Sequence, residues 1–318
     1  MAARTSAAVL AIAFATTPAL AAYPDHPVRI IVPYAPGGPA DVTMRLVANK
    51  LQERLGQSFL IDNRSGAGGN IGTAAGAVAA PDGYTLTVIT PAQVINTTLF
   101  AKPGYELRDF APVALMNTAP ALLLANPKLG VSSVADVIAL AKAKPGQLAF
   151  ASQGTGVAPH LMMEMIKKAA GIDLVHVPYR GSAPALNDVV AGNVPLMMDS
   201  IVTGLPHVRS GALKGLAVST AKRTPLAPDI PTVAESGIPG FEAFLWYGVV
   251  APRETPPDIV DRLGAEILAV LKLPEIRERL IALGSEPGDK GPAAFAAFIK
   301  SESDKWGEIV RTSGAKAE

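Results

Sequence analysis

The residues best suited to chemistry lie in two glycine-led turns. The first turn, Pro36-Gly37-Gly38-Pro39, follows the apolar run Val28–Val32 and precedes Asp41, and the second turn is Gly154-Thr155-Gly156. Where a strand leads through glycine into a helix, several N–H groups stay free and carry a positive partial charge that binds carboxylates or phosphates. We therefore expect main-chain N–H groups at Gly37-Gly38 to bind a carboxylate. The second turn is expected to bind another polar end of the same ligand.

Other hydrogen-bonding residues stand at similar junctions and complete the predicted ligand-binding set. That set is Pro36, Gly37, Gly38, Pro39, Asp41, Thr90, Gly154, Thr155, Gly156, His160, Tyr179, Gly181, Ser182 and Asp199. Some members have simpler interpretations. Asp41 stands four residues before Arg45, and pairing with that arginine and the helix dipole is favoured over ligand contact. Asp199 either caps the next helix or binds an amino or hydroxyl group, and a lone histidine such as His160 is more often a surface or packing residue.

Two further side chains are interpreted without a ligand role. Arg180 can in principle bind a carboxylate, but exposed loop arginines usually contribute nothing measurable. The adjacent aromatic residues Trp246 and Tyr247 are more often core or hinge packing than a stacking platform.

Motifs of enzymes and of cofactor-binding proteins are missing from the sequence. The Gly154-Thr155-Gly156 turn has Pro159 where a dinucleotide fingerprint needs its third glycine, and there is no phosphate-loop or nucleophile-elbow pattern. The four histidines lack metal-ligand spacing, and the chain has no cysteine. The sequence therefore predicts a protein that is not an enzyme and that holds no cofactor and no metal.

Short apolar strands alternate with helices along the chain, which is typical of α/β folds with parallel sheets. A proline stands at the start of each of four predicted helices, at Pro39, Pro91, Pro159 and Pro184, just after a turn rich in Gly, Ser or Thr. Such junctions lie at the carboxyl edge of a parallel sheet, where ligands bind. If two α/β halves face each other, the four helix starts point into one cleft.

The first residues predict an export signal. Arg4 is followed by the apolar run Ala7–Ala15 and by Ala19-Leu20-Ala21, so we expect a signal peptide over residues 1–22 and a periplasmic protein. Removing this leader takes one arginine from the 28 basic residues and leaves 27 against 27 acidic ones. A net charge of zero gives no case for nucleic acid or an anionic membrane surface as a partner.

The predicted architecture has two domains. The apolar segment Val113–Ala125 is expected to carry the chain from one domain towards the other, and the strand Phe244–Ala251 to return it. We predict a discontinuous domain 1 over residues 23–122 and 226–318, and a domain 2 over residues 123–225. Each is expected to be a mainly parallel sheet flanked by helices, with the ligand cleft between them.

Many short motifs, in order along the chain, resemble the extracytoplasmic receptors of the tripartite tricarboxylate transporter family, also called Bug receptors. They are Tyr23-Pro24, Pro36-Gly37-Gly38 with Asp41, Asn63-Arg64, Gly66-Ala67-Gly68-Gly69, Ala80-Pro81-Asp82-Gly83-Tyr84, His176-Val177-Pro178-Tyr179-Arg180-Gly181, Pro231-Thr232-Val233-Ala234-Glu235, and Trp246-Tyr247-Gly248.

The resemblance implies a periplasmic-binding-protein-like (type II) fold that closes around its ligand like a Venus flytrap. The implied ligand is a small organic acid, a mono- or dicarboxylate that includes amino or aromatic acids, held largely by main-chain groups and water. The implied partners are membrane transporter subunits, with the receptor itself a monomer. The sequence departs from the family at Arg180, where lysine is frequent, and at Pro39, where a third glycine is frequent.

Two other functions remain open on the sequence alone. An exported hydrolase would need a nucleophile, a base and an orienting group, and no such set can be assembled from the residues. The same receptor fold presenting its ligand to a signalling partner would make the protein a sensor.

Overall fold

The computed structural model describes residues 23–313, so the predicted signal peptide lies outside the described residues. The strands are β1 (Val28–Val32), β2 (Phe59–Asn63), β3 (Thr85–Ile89), β4 (Phe110–Ala119), β5 (Ala121–Ala125), β6 (Ala149–Ser152), β7 (Val175–Pro178), β8 (Leu196–Ser200), β9 (Lys214–Val218), β10 (Leu245–Pro252) and β11 (Glu286–Pro287). The helices are α1 (Pro39–Leu55), α2 (Asn70–Ala77), α3 (Pro91–Leu99), α4 (Val134–Ala143), α5 (Ala158–Ala170), α6 (Ser182–Ala191), α7 (Ile201–Arg209), α8 (Pro257–Lys272), α9 (Pro274–Ala282) and α10 (Pro292–Ser313).

The strands form two sheets, and each sheet with its packed helices is called a lobe below. The first lobe has six strands in the order β11-β4-β10-β3-β1-β2, and the second has five in the order β7-β6-β8-β5-β9. Both sheets are mixed. Strands β1–β3 and β6–β8 pair in parallel, as expected, whereas β10, β4 and β11 in the first lobe and β5 and β9 in the second pair antiparallel.

The predicted α/β plan follows from local sequence at the start of the first lobe. The last three residues of β1, Ile30 to Val32, are fully buried. This is because the strand has a neighbour on each side and helices over its faces. Pro39 is the first residue of α1, where its missing N–H removes no helical hydrogen bond. The helix ends at Gly56, whose φ of 72° suits glycine at a left-handed cap.

The chain crosses between the lobes at two places. The apolar segment predicted to cross is split at Pro120, with β4 in the first sheet and β5 in the second. The return runs from β9 to β10, and both crossings are joined at Ser219. The Ser219 hydroxyl accepts a hydrogen bond from the Ala121 N–H (2.9 Å) and donates one to the Ala243 carbonyl (2.8 Å). A hydrogen-bonded pair of crossing segments is the kind of place at which one lobe can rotate against the other.

The C-terminal helices pack mainly on the first lobe. Helix α8 lies against α1 and β4, and α10 lies against α3 and β4 and also reaches α5 in the second lobe. At its end, the Thr312 carbonyl accepts a hydrogen bond from the Lys168 ammonium group. Within residues 23–313, none of the helices has the length and apolar character needed to cross a membrane.

Two local expectations need adjustment. Helix α6 begins at Ser182, two residues before the predicted start at Pro184. Ser200, not Asp199, caps α7, because the Ser200 hydroxyl accepts from the Val202 N–H while Asp199 stays within β8.

Candidate functional site

A cavity of about 40 Å³ lies between the two lobes. Its wall is made mostly by small or apolar residues and a few polar ones: Tyr34, Gly38, Pro39, Ala40, Thr90, Pro91, Gln153, Val157, Ala158, Pro159, Ser182, Leu245 and Tyr247. The starts of α1, α3, α5 and α6 all contribute to this wall, so the four helix starts converge as the proline pattern predicts.

Three of these four helix starts have no side-chain cap. The capping positions of α1, α5 and α6 are Gly38, Val157 and Gly181, and none of them provides a side-chain acceptor. In contrast, the Thr90 hydroxyl caps α3, and Gln93 completes a capping box by accepting the Thr90 N–H (2.7 Å). The uncapped first turns of α1, α5 and α6 therefore keep N–H groups at the cavity for an external acceptor.

The Asp41 carboxylate shapes the first loop from behind the cavity wall. It accepts hydrogen bonds from the Gly37 N–H (3.0 Å), the Asn63 amide (3.0 Å) and the Arg45 guanidinium (2.9 Å). Burial alone would raise the pKa of Asp41, but these hydrogen bonds outweigh it and lower the pKa below its ordinary value. The favoured pairing of Asp41 with Arg45 is therefore present, and the Gly37 N–H is already occupied.

A second buried carboxylate organises the opposite wall. Asp199 is fully buried and accepts hydrogen bonds from Gln153 Nε2 (2.5 Å), the Ser182 hydroxyl (2.7 Å) and the Thr203 hydroxyl (2.7 Å). Burial raises the pKa of Asp199 and these donors act against that rise. Asp199 does not line the cavity. It holds two residues that do, Gln153 and Ser182.

Two tyrosines give the cavity hydroxyl groups from the first lobe. The Tyr34 hydroxyl lies 2.9 Å from the Thr90 hydroxyl, and both residues are in the wall. Burial raises the pKa of Tyr247, so its hydroxyl stays protonated and able to donate. Its neighbour Trp246 instead packs in the core, where its indole N–H donates to Glu302 (2.8 Å).

Beneath the second loop lies a stack of aromatic rings. The rings of His160 and His176 are 4.0 Å apart, and Phe150 stacks against His176 at 5.0 Å. His160 Nδ1 accepts the Gly156 N–H (3.3 Å), and His176 Nε2 lies 2.6 Å from the Ser152 hydroxyl. His160 therefore supports the loop from below and does not face the cavity.

The lobes touch each other on the rim of the cavity. The Ala35 N–H donates to the Arg180 carbonyl (3.3 Å), and a Cβ on Gly181 would lie 3.0 Å from Ala35. Gly154 and Gly68 are equally close, since a Cβ on Gly154 would lie 3.1 Å from the Gly68 α-carbon. These contacts describe a closed arrangement.

The predicted site residues thus fall into groups. Gly38, Pro39, Thr90 and Ser182 line the cavity. Asp41, His160 and Asp199 are buried behind its wall, as supports of wall residues and loops. The others, which belong to the loops and rim around it, are Pro36, Gly37, Gly154, Thr155, Gly156, Tyr179 and Gly181. The Tyr179 hydroxyl donates to Asp188 (2.5 Å) within α6.

Three polar residues of the cavity wall are not among the site residues predicted from the sequence: Tyr34, Gln153 and Tyr247. Gln153 directly precedes the second predicted turn and Tyr34 lies two residues before the first, so their positions were a usable signal. Tyr247 was assigned to packing or the hinge.

The cavity carries no fixed positive side chain. Among residues 23–313, no lysine or arginine is part of the wall, and Arg45 is engaged by Asp41. The described part of the chain also has no group of three side chains able to hold a metal ion. An anion in this cavity would be bound by the N–H groups of the helix starts and by hydroxyl or amide groups.

Solved structures with this fold place the protein in a class. The structure of the periplasmic binding protein BugD has a TM-score of 0.89 and 35% identity, over 93% of this chain and all of that one. The structure of an R. palustris protein solved with adipate has a TM-score of 0.90 and 38% identity, over 92% of this chain and 99% of that one. The structure of MatC from Rhodopseudomonas palustris, with bound malate, has a TM-score of 0.87 and 33% identity, over 91% of this chain and all of that one. The fold is therefore that of a two-domain, type II-like periplasmic binding protein.

The family follows from the sequence match. Residues 43–315 match the tripartite tricarboxylate transporter family receptor. The chain belongs to this receptor family, as the motif resemblance indicated.

Proposed function

We propose that this receptor is exported to the periplasm, binds a small organic carboxylate in the cavity and delivers it to the membrane subunits of a tripartite tricarboxylate-type transporter. The observation that carries the proposal is the set of three uncapped helix starts, α1, α5 and α6, in a cavity without lysine or arginine. Free N–H groups and helix dipoles suit an anion that must be released again.

The neighbouring structures support the ligand class. One was solved with adipate and another with malate, both of them carboxylates. The small cavity of the closed arrangement favours a ligand enclosed between the lobes, which must separate for the ligand to enter.

We further propose that the domain division lies at residues 23–122 and 226–318 against 123–225, and that the receptor acts as a monomer. The crossings at Pro120 and between β9 and β10 lie close to these limits and support the division.

A hydrolase would have to use the Ser152 hydroxyl, which lies 2.6 Å from His176 Nε2. Ser152 is fully buried, and its hydroxyl is also engaged with Gly154, donating to the carbonyl (3.0 Å) and accepting from the N–H (3.1 Å). A nucleophile must reach a substrate, and Ser152 does not line the cavity. The pair supports a structural role for Ser152 and favours a receptor over a hydrolase.

The experiment that tests the proposal is native mass spectrometry of the purified protein, followed by calorimetric titration of whatever acid is found. A co-purified carboxylate that binds without being turned over is the expected result. Turnover of the bound acid would favour the hydrolase. Affinity capture with the ligand-loaded receptor then tests for the partner. If it captures a signalling protein and no transporter subunits, the result would favour the sensor.

A further inference from the structure

The Gln153 side chain in the cavity wall has one amide end bonded and the other end free. Its Nε2 donates to Asp199 at 2.5 Å, whereas its Oε1 is buried and has no hydrogen-bond partner within residues 23–313. An ionised carboxylate only accepts hydrogen bonds, so with Asp199 ionised the Gln153 amide nitrogen faces Asp199 and the carbonyl faces away.

No neighbouring group within residues 23–313 donates a hydrogen bond to Gln153 Oε1. The Ser182 and Thr203 hydroxyls both donate to Asp199 (2.7 Å each). Thr90, across the cavity, is committed to Tyr34, Ala92 and Gln93. A buried carbonyl oxygen without a donor is unfavourable, so a ligand that brings a donor to this point gains over one that does not.

We infer that the ligand is a hydroxycarboxylate, with its carboxylate at the uncapped helix starts and its hydroxyl donating to Gln153 Oε1. This inference rests on the proposed function, because it presupposes a carboxylate in the cavity. It adds a specificity-determining residue, Gln153, and a class of acid.

A hydroxyl fits this position better than an ammonium group. An ammonium has three donors and a full positive charge, and it needs several acceptors or an anionic partner when it is buried. Among the wall residues, Gln153 is the one whose buried side-chain acceptor, Oε1, has no partner within residues 23–313, and Asp199 behind it already accepts from three donors.

The test compares acids that differ by one hydroxyl, by calorimetric titration of the ligand-free full chain. The pairs are lactate with propionate, malate with succinate, and 2-hydroxyglutarate with glutarate, and alanine, aspartate and glutamate are the amino counterparts. For the pair of fitting length, we expect the hydroxy acid to bind about ten- to a hundredfold more tightly than the plain acid. The amino acid is expected to bind more weakly than the hydroxy acid.

A variant of Gln153 tests whether this residue causes the preference for the hydroxy acid. Gln153→Met keeps the approximate shape and removes the acceptor, so the ratio between hydroxy and plain acid should fall to near one. The ratio is the readout, because a merely structural change would weaken both acids alike. Gln57→Met makes the same substitution outside the cavity and should keep the wild-type ratio.

Equal binding of both members of every pair by the wild type, or tighter binding of the amino acid, would overturn the inference and leave the carboxylate receptor in place. An unchanged ratio in Gln153→Met would overturn the role of Gln153. If none of these acids nor any other carboxylate binds, the proposed function itself is wrong. The wild-type pairs alone decide the ligand class if the variant fails to fold.

Discussion

Gly68 in the first lobe packs so closely against Thr155 in the second that a Cβ atom on Gly68 would overlap the Thr155 carbonyl oxygen. The backbone at Gly68 has a φ of 63°, and Asn96 holds this turn by donating to the Gly68 carbonyl (3.4 Å). The glycine-rich loop of the first lobe is thus part of the contact that forms when the lobes close, and a larger residue would keep them apart.

We expect Gly68→Ala to weaken ligand binding by about tenfold or more, because the closed, binding-competent state becomes less populated. Gly130→Ala is the matched control. Gly130 has a similar φ of 78° but nothing within 4 Å of its Cβ position, so it carries the same backbone penalty of about 1–2 kcal/mol without the clash. Calorimetric titration measures affinity, and small-angle scattering of the loaded protein measures closure. Equal loss of affinity in both variants would contradict the prediction.

A second prediction concerns Asp41 as a support of the loop. Asp41→Ala removes the acceptor of the Gly37 N–H, the Asn63 amide and the Arg45 guanidinium, so the ligand-free protein should lose about 1–3 kcal/mol of unfolding free energy. Asp62→Ala is the control, because the Asp62 pair with Arg64 is partly exposed to solvent and should cost less than about 1 kcal/mol. Urea unfolding without ligand checks this. Unchanged stability in Asp41→Ala, with loss of affinity alone, would instead mean direct ligand contact.

The sequence predicts those parts of the site whose residues are close together in the chain, and it misses those that depend on residues far apart in the chain. The strand–glycine–helix start at Gly37-Gly38 and the Thr90 cap are local, and the residues that form them are neighbours in the chain. The role of Gln153 depends on Asp199, 46 residues further on, and that pairing exists only because β6 and β8 are neighbours in the sheet. Local patterns carry no signal for such a pair.

The contacts between the lobes were beyond sequence reasoning for the same reason. The Gly66-Ala67-Gly68-Gly69 run indicates a flexible loop, but its partner Thr155 lies in the other lobe. Strand β5, which is antiparallel to both β8 and β9, likewise appears in the sequence only as part of an apolar run. It enters the second sheet directly after the chain crossing at Pro120, and the spacing of strands and helices does not encode its direction.

A third prediction follows from the buried histidines. Burial, with charge from His176 and Lys167, lowers the pKa of His160 to about 3. Burial, with charge from Lys167, lowers that of His176 to about 4. Glu164, 3.9 Å from His160 Nε2, is the facing carboxylate and acts in the opposite direction. Unfolded histidine titrates near 6.5, so the unfolded chain binds more protons as the pH falls below that value, and stability is lost there.

The loss is about 2 kcal/mol per histidine at pH 5 relative to pH 8. Urea unfolding across this range measures it. His160→Phe should remove about half of the dependence between pH 5 and 6.5, because an uncharged ring replaces one of the two buried histidines and His176 remains. His207→Gln, away from the stack, should follow the wild type. Parallel curves for the wild type and His160→Phe would show that His160 is not the source.

A fourth prediction concerns export, on residues outside the described structure. The leader predicts that the periplasmic protein begins at Ala22 or Tyr23. Expression of the full chain, osmotic release of the periplasm and N-terminal sequencing measure this directly. A periplasmic form that keeps Met1 would contradict the cleavage.

The last prediction separates main-chain binding of the carboxylate from a side-chain clamp. Gly38 is the uncapped start of α1 and lines the cavity, with φ −76° and ψ 167°, a conformation that other residues adopt freely. A Cβ there would meet Ala35 O at 3.5 Å and Ser182 Cβ at 3.7 Å, which are ordinary contacts. Gly38→Ala should therefore bind nearly normally. The γ-carbons of Gly38→Val reach further into the space of the ligand.

We expect Gly38→Val to lose affinity by about a hundredfold or more while the fold stays intact, since the carboxylate can no longer approach the N–H groups, and each charge-assisted hydrogen bond is worth roughly 1.5–3 kcal/mol. Arg180→Ala is the contrast. Arg180 is exposed and contacts the first lobe through its carbonyl, which the substitution keeps. Titration of the three variants with the identified acid compares them. If Arg180→Ala abolishes binding while Gly38→Val binds normally, a side-chain clamp holds the carboxylate and the helix starts do not.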